Sequence, residues 1–162
     1  EALGATPVAM PAPKAYEAIQ KGVADGAMFP YEAVKGFKLG ELVDYHLEIP
    51  GGLYTTPFAI MMNKAKYDSL SDAHKAALAK AGGAAGAKIL GAGWDRADVA
   101  GRAEAVKRNG TISQLSAAEL AIWAKKIAFM NDAWVAKANE AGLDGTALLA
   151  DLKATMKKFA SQ

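Results

Sequence analysis

Five apolar residues in a row, Phe58-Ala59-Ile60-Met61-Met62, constrain this chain more than any other stretch. A half-buried strand alternates apolar and polar side chains. An unbroken run bounded by turn residues is the pattern of a strand covered on both faces. Thr55 to Asn63 therefore reads as the best strand in the chain. Such a strand belongs in a parallel sheet with helices against it.

The preceding residues agree with that frame. Thr6 to Met10 is a short apolar run beside Pro7 and predicts a first strand. Pro11 and Pro13 frame the start of a helix, where proline is tolerated. Tyr16, Ile19, Gln20 and Val23 have helical spacing, and Gly22 stops it. Gly26 to Phe29 predicts a second strand. Pro30 opens a helix carrying Tyr31, Val34, Phe37 and Leu42, weakened by Gly36 and Gly40. Tyr45 to Ile49 alternates and breaks at Pro50-Gly51-Gly52. Strand-helix-strand units of this size favour right-handed crossovers.

From Ser71 the character turns helical. Ser71 or Asp72 can cap the start. The alanine-rich, proline-free stretch from Asp72 to Arg108 predicts one long helix, bent near Gly82-Gly83 and lying tightly on a neighbour through its small residues. Asn109-Gly110 ends it, and Thr111 to Leu115 predicts a short strand. Ser116 followed by Glu119 has capping-box spacing. Leu120, Trp123, Ile127, Met130, Trp134 and Ala138 form a helical stripe, with Trp123 and Trp134 on one buried face. Trp94 is assigned to the core in the same way. Gly142 ends that helix, and Leu149, Leu152, Met156 and Phe159 mark a last one.

Composition excludes several function classes. Of 162 residues, 19 are basic and 17 acidic, giving a net charge of +2 with the basic residues dispersed. Nucleic acid and anionic membranes are not implied as partners. Without cysteine there are no disulfides, thiolate nucleophiles or zinc-thiolate sites. No apolar run reaches bilayer-spanning length. The first residue is Glu1, and Glu1-Ala2-Leu3-Gly4 reads like the tail of a helix. The expectation is a carboxyl-terminal part of a longer protein.

Motifs for catalysis do not assemble. His46 and His74 lie far apart, with no partner at metal-ligand spacing, and are read as surface or structural. Gly82 to Lys88 has the wrong spacing for a phosphate loop, with Ile89 where a Ser or Thr must stand. Gly91-Ala92-Gly93 lacks the third glycine of a dinucleotide fingerprint, and Arg96 occupies its place. Asp98 and Arg102 suit a surface ion pair on a solvated helix face. Asn109-Gly110-Thr111 matches a glycosylation sequon. No serine sits in a Gly-x-Ser-x-Gly elbow. No acid, base and nucleophile come together, and no metal or cofactor is expected.

Gly22 to Pro30 differs in kind. In open α/β sheets, ligands sit beyond the carboxyl ends of strands. Phe29-Pro30-Tyr31-Glu32 and Leu53-Tyr54-Thr55-Thr56 place aromatics and hydroxyls there. Such a mixture suits a small-molecule pocket. The plainer reading makes Phe29 and Tyr31 packing at the edge of the core.

The run Leu3-Gly4-Ala5-Thr6-Pro7-Val8-Ala9-Met10-Pro11, continued by Tyr16-Glu17-Ala18-Ile19-Gln20-Lys21-Gly22-Val23-Ala24-Asp25-Gly26, strongly resembles the solute receptors of tripartite ATP-independent periplasmic (TRAP) transporters, of the dicarboxylate-receptor type. Tyr67-Asp68-Ser69-Leu70-Ser71 resembles the family's approach to its long helix. The resemblance covers essentially the whole chain, with specific motifs in the first 30 residues and looser ones after 110.

It implies an α/β fold of the type II periplasmic-binding-protein kind, incomplete here, helix-rich, with a short, mostly parallel sheet and a long helix. The family is about twice this length, so residues 1–162 would be the carboxyl-terminal portion of a two-lobed receptor. Residues 1 to about 50 would belong to the second lobe. From about 55 onward would come a crossover strand, the long helix and the carboxyl-terminal helices. The implied function is periplasmic capture of an organic acid for delivery to TRAP membrane permease subunits, without catalysis. The family's ligand-contacting asparagine is replaced here by Phe29, and its aromatic after the first strand by Ala12. This exchange implies a carboxylate with an apolar or aromatic body.

The implied ligand-binding residues are Phe29, Met10, Ala12, Tyr31, Glu32, Tyr54, Thr55 and Thr56. The family's carboxylate-binding arginine precedes this segment, and Arg96, Arg102 and Arg108 do not match it. The segment alone is therefore expected to bind its acid weakly or not at all. A rival reading is an α/β enzyme acting on small organic acids with catalytic residues upstream. Another is a self-pairing helical module, and an exposed sheet edge could drive dimerisation or domain swapping.

Overall fold

A computed structural model of the protein describes residues 1–54 and 56–160. The chain divides into two compact units: Val8–Gln114, and Glu1–Pro7 with the segment from Leu115 onward.

In the first of these units, a 3-10 turn over Ala12–Lys14 runs straight into α1 (Ala15–Gln20). Gly22 ends α1 with a positive φ of 68°, and the Val23 N–H returns to the Ala18 carbonyl at 2.8 Å. A left-handed residue after the last turn is the usual way to satisfy such carbonyls. α2 (Glu32–Gly36) is followed by a 3-10 turn over Leu39–Glu41. The predicted helix from Pro30 to Leu42 is therefore interrupted, because Lys38 turns left-handed at φ 58°. Ala15, Ala33 and Leu39 form the core here, with Tyr16, Ile19, Phe29 and Phe37 packed against it.

β1 (Tyr45–Glu48) and β2 (Thr111–Gln114) pair in parallel, Tyr45 opposite Thr111 and Glu48 opposite Gln114. Both match stretches predicted as short strands. Three other predicted strands are corrected. Thr6 to Met10, Gly26 to Phe29 and the described part of Thr55 to Asn63 are irregular; Thr55 lies outside the described residues. A strand exists only by pairing, and β1–β2 is the only ladder among the described residues. Pro7, Pro11 and Pro57 also lack the N–H a ladder needs. The apolar run expected to be buried on both faces lies in solvent: Ile60 and Met61 are each 85% exposed and Phe58 70%.

α3 (Lys64–Asp68) is capped by Asn63, whose side chain accepts from the Lys66 N–H at 3.1 Å. The predicted long helix is two: α4 (Asp72–Ala81), capped by Ser71, and α5 (Gly83–Lys107). Gly82 is extended and Gly83 has φ 55°, so the pair breaks the helix instead of bending it. α5 does lie tightly on a neighbour. A Cβ on Gly101 would stand 1.8 Å from the Tyr31 carbonyl oxygen, so only glycine lets α5 reach the start of α2.

In the other unit, Ser116 and Glu119 form the predicted capping box at the start of α6 (Ala117–Ile127). α7 (Phe129–Glu140) follows after Ala128, and α8 (Gly145–Ala160) closes the described chain. α8 starts against α7: the Gly145 N–H donates to the Asn139 side chain at 2.9 Å, and a Cβ there would meet the Val135 carbonyl at 2.6 Å. The tryptophan stripe does not make the expected core. Trp134 is 45% exposed and Trp123 half-buried, and the buried apolar residues here are Leu115 and Ala138 instead. Trp94 of α5 is 40% exposed and stacked on Phe58 with ring centroids 4.9 Å apart.

Candidate functional site

The loop between α1 and α2 carries Met28 and Phe29. Met28 is exposed, whereas Phe29 is half-buried and tilts against Phe37 at 5.8 Å between centroids. The loop after β1 comes to the same place. Gly51 and Gly52 both take positive φ, 82° and 77°, and the Gly52 N–H bonds the Ile49 carbonyl at 2.9 Å. Two left-handed residues in succession reverse the chain where a side-chain-bearing residue would be strained. Tyr54 then donates its hydroxyl hydrogen bond to the Met28 carbonyl at 3.1 Å. Gly22 to Pro30 and Leu53 to Thr56, both singled out in the sequence, are thus joined at Met28 and Tyr54.

Tyr31, at the end of that loop, and Glu32, the first residue of α2, are half-buried. The Tyr31 ring lies 5.9 Å from that of His46, and its hydroxyl is closed off from solvent. Burial, then the negative charge of Glu48, pushes the Tyr31 pKa up to about 12. Glu48 is itself paired with Arg102 at 2.7 Å, and that hydrogen bond holds its carboxyl below the usual range. The Glu32 N–H donates to Asp98 Oδ1 at 2.8 Å. Burial first, and the neighbouring Asp98 charge second, raise the Glu32 carboxyl pKa.

This overturns the expected Asp98–Arg102 pair on a solvated face. Asp98 satisfies an orphan donor in the first turn of α2, and Arg102 reaches across to β1. Spacing within one helix predicted the wrong partners because both residues answer to groups far away in sequence.

Met10 and Ala12 are half-buried. Met10 lines a shallow hollow of about 260 Å³ with Lys14, Glu17, Ala18, Lys21 and Val23. Thr56 is exposed. A second hollow of about 180 Å³ lies between Lys35, Lys38, Glu41, Glu104 and Arg108 beside Val34. There Arg108 pairs with Glu104 at 2.7 Å, drawing its carboxyl pKa down, and approaches Glu41 at 3.8 Å. Arg102 and Arg108 are both occupied by carboxylates of the chain itself. The Phe58–Trp94 stack had no signal in the sequence, since neither periodicity nor a motif links residues so far apart. Among the described residues no group of three or more His, Cys, Asp or Glu could hold a metal ion, and no helix is long and apolar enough to cross a membrane.

Comparison with known proteins places this arrangement. The family model described as DctP, bacterial extracellular solute-binding protein, family 7, matches residues 1–137. A TRAP solute-binding protein from a marine metagenome, specific for aromatic acid ligands and solved with metahydroxyphenylacetate, is 44% identical, with a TM-score of 0.90 over 97% of this chain and 50% of that one. One from Rhodoferax ferrireducens T118, solved with copurified benzoate, is 36% identical, with a TM-score of 0.91 over 99% of this chain and 51% of its own. One from Bordetella bronchiseptica, with bound (R)- and (S)-mandelate, is 33% identical, with a TM-score of 0.90 over 98% and 50%. The chain thus spans about half the length of these structures, which share its helix-rich α/β architecture. It belongs to family 7 of the bacterial extracellular solute-binding proteins, the solute receptors of TRAP transporters.

Proposed function

We propose that this chain forms part of a periplasmic TRAP receptor that captures an aromatic carboxylate and delivers it to a membrane permease, without chemical turnover. The observation that carries this reading is the meeting of Met28-Phe29 with Tyr54. Phe29 offers an aromatic ring backed by Phe37 at the position where the family pattern has asparagine. An aromatic pair with offset or tilted geometry is worth about 0.5–1.5 kcal/mol beyond area burial. A benzene ring placed there gains contact that a compact aliphatic diacid cannot make.

The relatives solved with benzoate, mandelate and metahydroxyphenylacetate support the same ligand class. In this reading Phe29, Tyr54 and Thr56 border the ligand, with Met10 and Ala12 on the preceding segment. Tyr31 and Glu32 anchor the loop through β1 and α5. Residues up to about 50 contribute to one lobe, and those from about 55 onward form the crossover segment and helices. Because Arg102 and Arg108 are already paired, most of the carboxylate's charge compensation falls to residues outside this chain.

The test is a thermal melt with a panel of aliphatic and aromatic carboxylates. A ligand that binds only the folded state raises the midpoint by mass action. Benzoate and mandelate should raise it at concentrations where succinate does not. A larger shift with succinate would refute the aromatic preference.

A further inference from the structure

We propose that Tyr54 is a positioning residue, whose hydroxyl is committed to the Met28 carbonyl and sets the stance of Phe29 instead of bonding the ligand. The proposal rests on the aromatic-acid reading for its consequence, but not for its geometry.

Asp25 to Phe29 is irregular backbone between two short helices. Among the described residues, the bond from Tyr54 is the one hydrogen bond that reaches this stretch. Leu53, Tyr54 and Thr56 to Met62 are equally irregular, and among these described residues too the Tyr54 hydroxyl makes the single bond. Among the described residues, one hydrogen bond therefore ties two segments without ladders, and the tie falls on the peptide that joins Met28 to Phe29. Rotation of that peptide would swing the Phe29 ring away from Phe37.

Tyrosine suits the task because its ring is rigid and carries one donor at a fixed reach. The Gly51-Gly52 turn brings it to the right place. A phenol that donates its only hydrogen to a backbone carbonyl has none left for a carboxylate.

The experiment uses Tyr54→Phe in this chain, with {1H}–15N NOEs and benzoate titrations followed by NMR. The NOEs of Ala27, Met28 and Phe29 should fall, marking faster backbone motion on the ps–ns timescale. Those of α5 should stay as in the wild type, and the melt should stay cooperative with its midpoint lowered by no more than a few degrees, which separates positioning from general loss of fold. Unchanged NOEs at 27–29 would overturn the proposal, whatever the ligand does. Benzoate and 3-hydroxybenzoate affinities should weaken by the same factor, about threefold to tenfold, the scale of one net hydrogen bond. A loss confined to 3-hydroxybenzoate would mean that the Tyr54 hydroxyl touches the ligand, and would also overturn it. If the wild-type chain binds neither acid while the NOE result holds, the latch stands, and capture of the acid needs residues outside this chain.

Discussion

Gly101 shows how much can depend on a missing methyl group. Alanine stabilises a helix interior by up to about 1 kcal/mol over glycine, so Gly101→Ala would help α5 in isolation. In the protein its Cβ would meet the backbone of Tyr31 at 1.8 Å and of Glu32 at 3.0 Å. Backbone cannot rotate away, so α2 must lift off α5. Overpacking costs of this kind run to about 1–3 kcal/mol, and Gly101→Ala should lower stability in a urea melt by about 2 kcal/mol. Gly91→Ala, with nothing within 4 Å of the added carbon, should raise it by about 0.5–1 kcal/mol. Glu32 offers a pH test. A carboxyl whose folded pKa is raised contributes stability below its unfolded pKa and loses it as pH rises through the folded value. Glu32→Gln should therefore melt higher than wild type at pH 7, with the difference closing as pH falls below about 4. Equal midpoints at pH 7 would contradict the cause assigned to that shift. Sequence reading singled out Phe29, Tyr31, Glu32 and Tyr54 as candidates, and the structure joins Tyr54 to the peptide before Phe29. It missed that Asp98 serves α2 and Arg102 serves β1, because no local spacing encodes a contact across 54 or 66 positions.

Elements that depend on their own residues were the legible ones. The Ser116–Glu119 capping box, the Ser71 cap and the stop at Gly22 each follow from local backbone chemistry, whereas at Gly82-Gly83 a bend is expected and a break is found. The alternating 45–48 and 111–114 stretches found each other as a parallel pair. Thr6 to Met10, Gly26 to Phe29 and Thr56 to Asn63 are not strands here, because a strand's hydrogen bonds lie in its partners. The apolar pattern of 58–62 reports an environment, and that environment is not supplied by the described residues. Ile60→Ala separates the two situations. With the side chain 85% exposed, stability in a urea melt should change by less than about 0.5 kcal/mol. A loss of about 2 kcal/mol or more, as for a core isoleucine, would put residue 60 in a buried strand after all.

At the scale of the whole molecule, family membership, half-length coverage of the relatives and the choice of ligand are separate matters. Family and fold class were legible in the motifs of the first 30 residues and the resemblance they carry, whereas most of the predicted alternation of strands and helices is not found. Ligand choice depends on whether the Phe29 ring, packed on Phe37 and following the Met28 carbonyl that Tyr54 bonds, receives an aromatic acid. The direct measurement is a 1H–15N NMR titration of the chain with benzoate and, separately, with succinate. Since the arginines of this chain are largely paired internally, weak binding is expected, with a Kd on the order of 1–10 mM, about 3–4 kcal/mol. Benzoate should move the resonances of Met28, Phe29 and Tyr54 together, and succinate should leave them in place. Perturbation of those residues by succinate at lower concentration, or no response to benzoate at about ten times that Kd, would contradict an aromatic-acid site at Phe29.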